Sequence, residues 1–291
     1  MPTPPPIFEY VTQVAETQVH YIEAGHGDLL LLIHGSLCDF RYWRWQIPEF
    51  SNHFRVLVPS LPGCWPDAVG SAFISGTDPQ IMRETALADS RYSIERHVRA
   101  VVELCEQADT ETGIHLVGHS RGAQVALEAA LAMPGRIKRL VLADPGFPFS
   151  DEPITEPIHA PIARSLGQAP LDEVIGAFVD AVNGANTWRR TVSWFKDMVR
   201  ANAWTLLPQL NDIHRSIDLN TLAEALTCPV LLVGGEYSPP RYGSRIKALM
   251  QALPQSRHLL VPRAAHGMNL ANARYFNNEI LAFLRDEKLN G

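Results

Sequence analysis

Six short aliphatic runs, at 29–33, 55–58, 114–117, 140–143, 229–233 and 258–261, recur along the chain with helical patterns between them. A run of four or five mainly apolar residues bounded by turn formers is too short for a helix core. It also lacks the polar alternation of a strand with one wet face, so it reads as a strand covered on both sides of a parallel sheet. Between the runs, Ile94–Gln107 carries Val98, Val101, Val102 and Cys105 at helical spacing, and 124–133 is rich in alanine and leucine and stops at Pro134-Gly135. Residues 270–284 read as a final helix. Ahead of the first run, Ile7–Val14 and 17–23 are β-rich and separated by Ala15-Glu16, which predicts an opening antiparallel hairpin. Strand and helix in alternation imply an α/β fold with a mostly parallel, doubly wound sheet. In such sheets ligands bind beyond the carboxyl ends of the strands, so chemistry is sought in the residues that follow each run.

The chain has 291 residues, 46% of them hydrophobic, which suits one large core or two modest ones. With 25 basic and 31 acidic side chains it carries a formal charge of −6, without the basic stripe that nucleic-acid binding requires. The longest aliphatic run, Leu29–Ile33, falls far short of the roughly 20 residues of a membrane span. Cys38, Cys64, Cys105 and Cys228 are scattered, which fits reduced thiols. The first residues, Met1-Pro2-Thr3-Pro4-Pro5-Pro6, contain no basic or apolar export stretch, and a cytoplasmic location is expected. No clustered metal ligands and no phosphate loop occur, so neither cofactor nor metal is expected.

One stretch breaks the alternation. From about Gly146 to Thr227 no strand-like run occurs. Instead come four prolines (Pro148, Pro153, Pro157, Pro161) and then helical segments bearing Trp188, Trp194, Phe195 and Trp204. This predicts a core of residues 1–145 and 228–291, interrupted at 146–227 by a helical cap placed after the sixth strand, on the ligand-binding edge. Residues 61–91 are expected to be irregular, and such long connections tend to be functional.

The most informative residues are Gly118-His119-Ser120-Arg121-Gly122. A strand runs into them and a helix leaves them, the setting in which a G-x-S-x-G turn presents a strained serine at the sheet edge. Glycines on both sides remove the Cβ atoms that would strike neighbouring backbone. His119, beside the serine, is expected to point away and pack. A serine nucleophile needs a base, and His266 stands best for it, after the last strand and before the last helix.

With Leu32-Ile33-His34-Gly35-Ser36 and Ala264-Ala265-His266-Gly267, these residues make the chain resemble the α/β-hydrolase superfamily over nearly its whole length except the insertion. The resemblance implies a Ser–acid–His mechanism under a lid and leaves the substrate open. It implies that His34 is structural and that the backbone N–H groups of Ser36 and Arg121 form the oxyanion hole. It further implies an acid in the turn that here reads Gly235-Glu236-Tyr237-Ser238, where Ser238 stands in place of the expected aspartate. Asp144, at the end of the strand after the nucleophile strand, is the favoured substitute; Glu236, or a degraded triad, is the alternative.

A serine in this turn excludes chemistries of the superfamily that attack with an aspartate. What is left is hydrolysis of a small, hydrophobic or aromatic carboxylic ester through an acyl-enzyme. Cleavage of a carbon–carbon bond in a ring-fission-type dienoate, or of a lactone, is the nearest alternative; a non-catalytic ligand-binding protein is the alternative of another class. Leu37, Trp188, Trp194 and Trp204 are candidate pocket residues. The expected partners are a small-molecule substrate and water, with no nucleic acid and no membrane; self-association is left open.

Overall fold

The computed structural model describes residues 7–72, 77–108, 113–153, 155–212 and 215–289. Among these residues eight strands form one sheet: β1 (Ile7–Val14), β2 (Thr17–Ala24), β3 (Leu29–Ile33), β4 (Arg55–Pro59), β5 (Ile114–His119), β6 (Ile137–Ala143), β7 (Val230–Gly235) and β8 (Arg257–Val261). Their order across the sheet is β1-β2-β4-β3-β5-β6-β7-β8. β1 and β2 form an antiparallel hairpin, β2 also lies antiparallel to β4, and every later neighbouring pair is parallel. The aliphatic runs predict these strands because both faces of the sheet are covered. In β3, Leu30 and Leu32 enter one core while Leu29, Leu31 and Ile33 enter the other, and all five are fully buried. Phe276, Ile280 and Phe283 of the helix Ala273–Leu284 close the first core. The helices Ile94–Gln107, Arg121–Ala132 and Pro240–Ala252 close the second through residues such as Val101, Ala126 and Leu249.

The parallel register is what assembles the site. Ile33 pairs with Gly118, His119 with Ala143, Ala143 with Val233, and Val261 with Gly235. The carboxyl ends of β3, β5, β6, β7 and β8 therefore lie level along one edge. The loops that leave them hold His34 to Ser36, Ser120, Asp144, Glu236 to Ser238 and His266.

Between β6 and β7 run the helices His159–Ser165, Leu171–Asn183, Thr187–Arg190, Ser193–Ala201 and Leu219–Ala225, with 3-10 turns at Ala203–Leu206 and Pro208–Asp212. Phe149 and Ile217 pair at the base of this segment, where the Ile217 N–H donates to the Pro148 carbonyl at 3.0 Å. Its apolar side, including Ile175, Phe178, Val179 and Met198, is continuous with the first core. Among the described residues no helix is long and apolar enough to cross a membrane.

Three local expectations need correction. Residues 61–91 are not irregular throughout: a helix spans Pro79–Leu87, started by Asp78, whose side chain accepts the Gln80 N–H at 2.7 Å, with Pro79 in the first turn. The final helix is broken at Asn272, whose side-chain amide donates to the Pro262 carbonyl at 3.0 Å, into Met268–Ala271 and Ala273–Leu284. And β8, an edge strand, alternates between buried and exposed positions, leaving Leu260 half exposed.

Two stability predictions follow from this packing. Leu31→Ala leaves a hole at the sheet centre and is expected to cost about 2–5 kcal/mol, read as a lower urea midpoint; a midpoint within error of wild type contradicts the packing described. The second concerns His115 of β5, which is buried against Phe54 and whose pKa burial pushes down to about 4. In the unfolded chain it titrates near its ordinary 6.5, so between these values the unfolded state binds more protons. The stability it contributes is complete above pH 6.5 and is lost as pH falls towards 4. Urea unfolding at pH 7 and 5 should show His115→Leu losing less stability on acidification than wild type, by up to about 1.4 kcal/mol per pH unit. Equal losses contradict the assignment.

Candidate active site

Ser120 stands between β5 and the helix Arg121–Ala132 with φ +56° and ψ −119°, a backbone conformation a serine adopts only under constraint, at about 1–3 kcal/mol. The constraint is close packing. A Cβ on Gly118 would lie 2.2 Å from the Gly122 carbonyl oxygen, and one on Gly122 would lie 2.3 Å from the His34 carbonyl oxygen. The helix start is thereby pressed onto the end of β3. The Ser120 N–H donates to Ala143 at 2.9 Å, and its carbonyl accepts from Ala123 at 3.0 Å. Leu37, Asp144 and, in the loop after β8, Arg263 also have positive φ, so four non-glycine residues at this edge are held in unfavourable backbone conformations. Such clusters mark functional sites.

His266 Nδ1 lies 2.9 Å from Asp144 Oδ2, and both residues are almost wholly buried. Its ring is stacked on Tyr242 at 4.4 Å and rests against His119 at 4.5 Å. Ser120 and His266 line the same cavity. The carboxylate that faces His266 is thus that of Asp144. Glu236 is turned outward, where its Oε2 accepts the Arg263 N–H at 2.6 Å and braces the loop after β8. Ser238, which stands where the resemblance leads one to expect an acid, donates its hydroxyl to Asp144 Oδ2 at 2.6 Å. That oxygen therefore receives two donors, Ser238 and His266.

His119 does pack, but not idly. Its Nε2–H donates to the His266 carbonyl at 2.8 Å, and burial holds its pKa well below the ordinary value, so it is a neutral brace under the His266 loop. His34 is structural as expected: its Nε2 accepts the Leu61 N–H at 3.0 Å, and its Nδ1–H reaches the Gly35 carbonyl at 2.9 Å. Arg121 is the first residue of its helix, so its backbone N–H has no acceptor inside the helix. Its guanidinium is ion-paired with Asp212 at 2.6 Å and lies 4.7 Å from the Tyr92 ring centre. Ser36 lines the cavity and donates its hydroxyl to Gln209 Oε1 at 2.9 Å.

The cavity has a volume of about 540 Å³, and its wall is mainly apolar: Leu37, Tyr42, Phe178, Val182, Phe195 and Leu270 contribute, as do Trp45 and Trp194. Among the described residues, Arg190 is the one charged side chain of the lining. Arg44 lies between Trp45 and Trp194, at 5.0 and 4.5 Å from their ring centres, and so links the segment after β3 to the inserted helices. Of the expected pocket residues, Leu37 and Trp194 line the cavity, whereas Trp188 and Trp204 do not. Trp188 instead packs over Gly176, with Lys196 and Arg200 near its ring. Trp204 fills the space beside Gly70. Both choices err for one reason: composition locates a tryptophan on a helix but not the face it occupies.

Sequence reasoning does not single out Tyr242, Asn183, Gln209 or Asp212. Asn183, on the inserted helix Leu171–Asn183, accepts the N–H of Gly267 at 2.8 Å and so fixes the loop next to His266. Nothing in a single asparagine within an amphipathic helix announces such a contact.

Residues 30–278 match the Alpha/beta hydrolase family. Over 287 residues the chain is 23% identical to an (E)-2-((N-methylformamido)methylene)succinate hydrolase of Acinetobacter baylyi, covering 91% of this chain and 93% of that protein. Over 130 residues it is 30% identical to a 2-hydroxy-6-oxo-2,4-heptadienoate hydrolase of Pseudomonas putida, covering 44% of this chain and 40% of that protein. A thermophilic esterase from Thermogutta terrifontis has the same fold, with a TM-score of 0.73 at 21% identity over 96% of this chain and 98% of that one. The extent of the family match, together with the level strand ends and the constrained Ser120 turn, leads to one conclusion: the chain is a member of the α/β-hydrolase family.

Proposed function

We propose that the protein is a serine hydrolase that cleaves a small carboxylic ester with an apolar or aromatic group through an acyl-enzyme. The observation that carries this reading is the His266–Asp144 pair at 2.9 Å, in which His266 stands on the wall of the cavity that Ser120 also lines and Asp144 is buried behind it. In this reading His266 Nε2 takes the Ser120 proton as Oγ attacks the ester carbonyl. Asp144 holds Nδ1–H, fixing the tautomer and stabilising the imidazolium that forms. The backbone N–H groups of Ser36 and Arg121 receive the oxyanion. His266 then returns the proton to the departing alcohol, and water, activated by the same histidine, releases the acid. Residues 146–227 act as a cap whose apolar side closes over the acyl or alcohol group. The apolar wall supports a substrate with a hydrophobic part, because burying such a part is worth roughly 25 cal/mol per Å².

A second reading, hydrolysis of a carbon–carbon bond in a dienoate, draws on the 30% identity to the heptadienoate hydrolase over 44% of the chain. Comparing kcat/KM for p-nitrophenyl acetate and butyrate with that for a ring-fission dienoate separates the two.

The acid assignment has its own test. Asp144→Asn should lower kcat on p-nitrophenyl butyrate by on the order of 10⁴, while Glu236→Gln stays within a few-fold of wild type. A near-wild-type Asp144→Asn enzyme would sink the role given to Asp144. A Ser120→Ala protein that turns over the ester as fast as wild type would sink the serine mechanism.

A further inference from the structure

The geometry points to Gln209 and Asp212, both in the 3-10 turn Pro208–Asp212 of the inserted helices, as positioning residues for the oxyanion hole. The inference rests on the serine-hydrolase reading above. The two residues proposed to supply oxyanion N–H groups, Ser36 and Arg121, come from different loops of the sheet edge. Each is held by its own side chain to this one turn of the insertion. Ser36 Oγ donates to Gln209 Oε1 at 2.9 Å, and Arg121 Nη2 donates to Asp212 Oδ2 at 2.6 Å.

The turn is itself braced from the sheet domain. The Tyr92 hydroxyl donates to the same Gln209 Oε1 at 3.3 Å, and the Ile94 N–H donates to the same Asp212 Oδ2 at 3.2 Å. Gln209 and Arg121 are each less than a tenth exposed, and their partners Ser36 and Asp212 are partly buried. The Arg121 guanidinium is further confined by the Tyr92 ring. A side chain held at its tip restricts the rotation of its own backbone. Ser36 and Arg121 are therefore oriented by the insertion as well as by the strand and helix they belong to. An oxyanion hole works only with its donors about 2.7–3.1 Å from the developing charge, so small rotations of either N–H are felt in the transition state and hardly at all in substrate binding. Seating of the insertion and alignment of the hole are one event in this arrangement.

The test uses the full-length protein with p-nitrophenyl butyrate and two inhibitors of matched shape. A trifluoromethyl ketone adds Ser120 Oγ to its carbonyl carbon and places the resulting alkoxide in the hole; the methyl ketone is a ground-state mimic. For Gln209→Ala, kcat should fall by about 10- to 100-fold with KM changed by less than about threefold. Affinity for the trifluoromethyl ketone should fall in parallel with kcat/KM, and affinity for the methyl ketone should hold. Ser36→Ala removes the other end of the same bond while keeping the backbone N–H. It should therefore give a loss similar to that of Gln209→Ala, and the double variant should lose little more.

Asp212→Asn leaves the buried Arg121 charge without its partner, so the pair is tested with Arg121→Gln/Asp212→Asn, which removes both charges and keeps a hydrogen-bonding pair. This variant should retain more of the trifluoromethyl ketone affinity than Asp212→Asn alone. Wild-type constants in Gln209→Ala and Ser36→Ala overturn the inference, as does equal weakening of both ketones, which would mark general damage to the pocket. Labelling by a fluorophosphonate keeps the two levels apart. Labelling of Ser120 in wild type, with unchanged constants in Gln209→Ala, overturns the positioning role alone; no labelling of Ser120 in wild type overturns the serine reading and this inference together.

Discussion

The close approach of Gly122 to the carbonyl end of β3 is the constraint on which the site depends. No residue with a Cβ fits there, since the added atom would lie 2.3 Å from the His34 oxygen. That contact sets the helix Arg121–Ala132 hard against the sheet and forces Ser120 into a positive φ. The parallel register then brings the ends of β3, β6, β7 and β8 level with it. The cost of the strained turn, about 1–3 kcal/mol, is offset by the two apolar cores that cover the sheet.

Around that turn the polar residues form a layered arrangement in which each group fixes the next. Ser238 and His266 share one oxygen of Asp144, His119 holds the His266 carbonyl, and Tyr242 stacks on the imidazole. The inserted helices complete it from above through Asn183, Gln209 and Asp212. The apolar cavity and the polar residues thus meet at a surface built by two parts of the chain.

Much of the fold was legible because sheet burial writes itself into sequence as uninterrupted aliphatic runs. Where burial is partial the signal weakens: β6 begins at Ile137, earlier than its apolar run, because Lys138 and Arg139 reach out to Asp28 and Asp286. The strained turn at Ser120 and the place of His266 behind the last strand were legible because strain and position constrain local sequence. The choice between Asp144 and Glu236 was legible only as a preference for Asp144, since both follow strands of the same edge and only the three-dimensional path shows which carboxylate faces His266. The contact of Ser36 with Gln209 spans 173 residues and involves residue types found on any surface, so no local pattern could announce it.

The central claim is that Ser120 carries the acyl group during turnover. Rapid-quench mass spectrometry during hydrolysis of p-nitrophenyl butyrate measures this directly. The account predicts a peptide containing Ser120 that gains the mass of one butyryl group in the first turnover and is unmodified in Ser120→Ala. A butyryl group on another residue, or hydrolysis at the full rate with no acylated peptide, would contradict it.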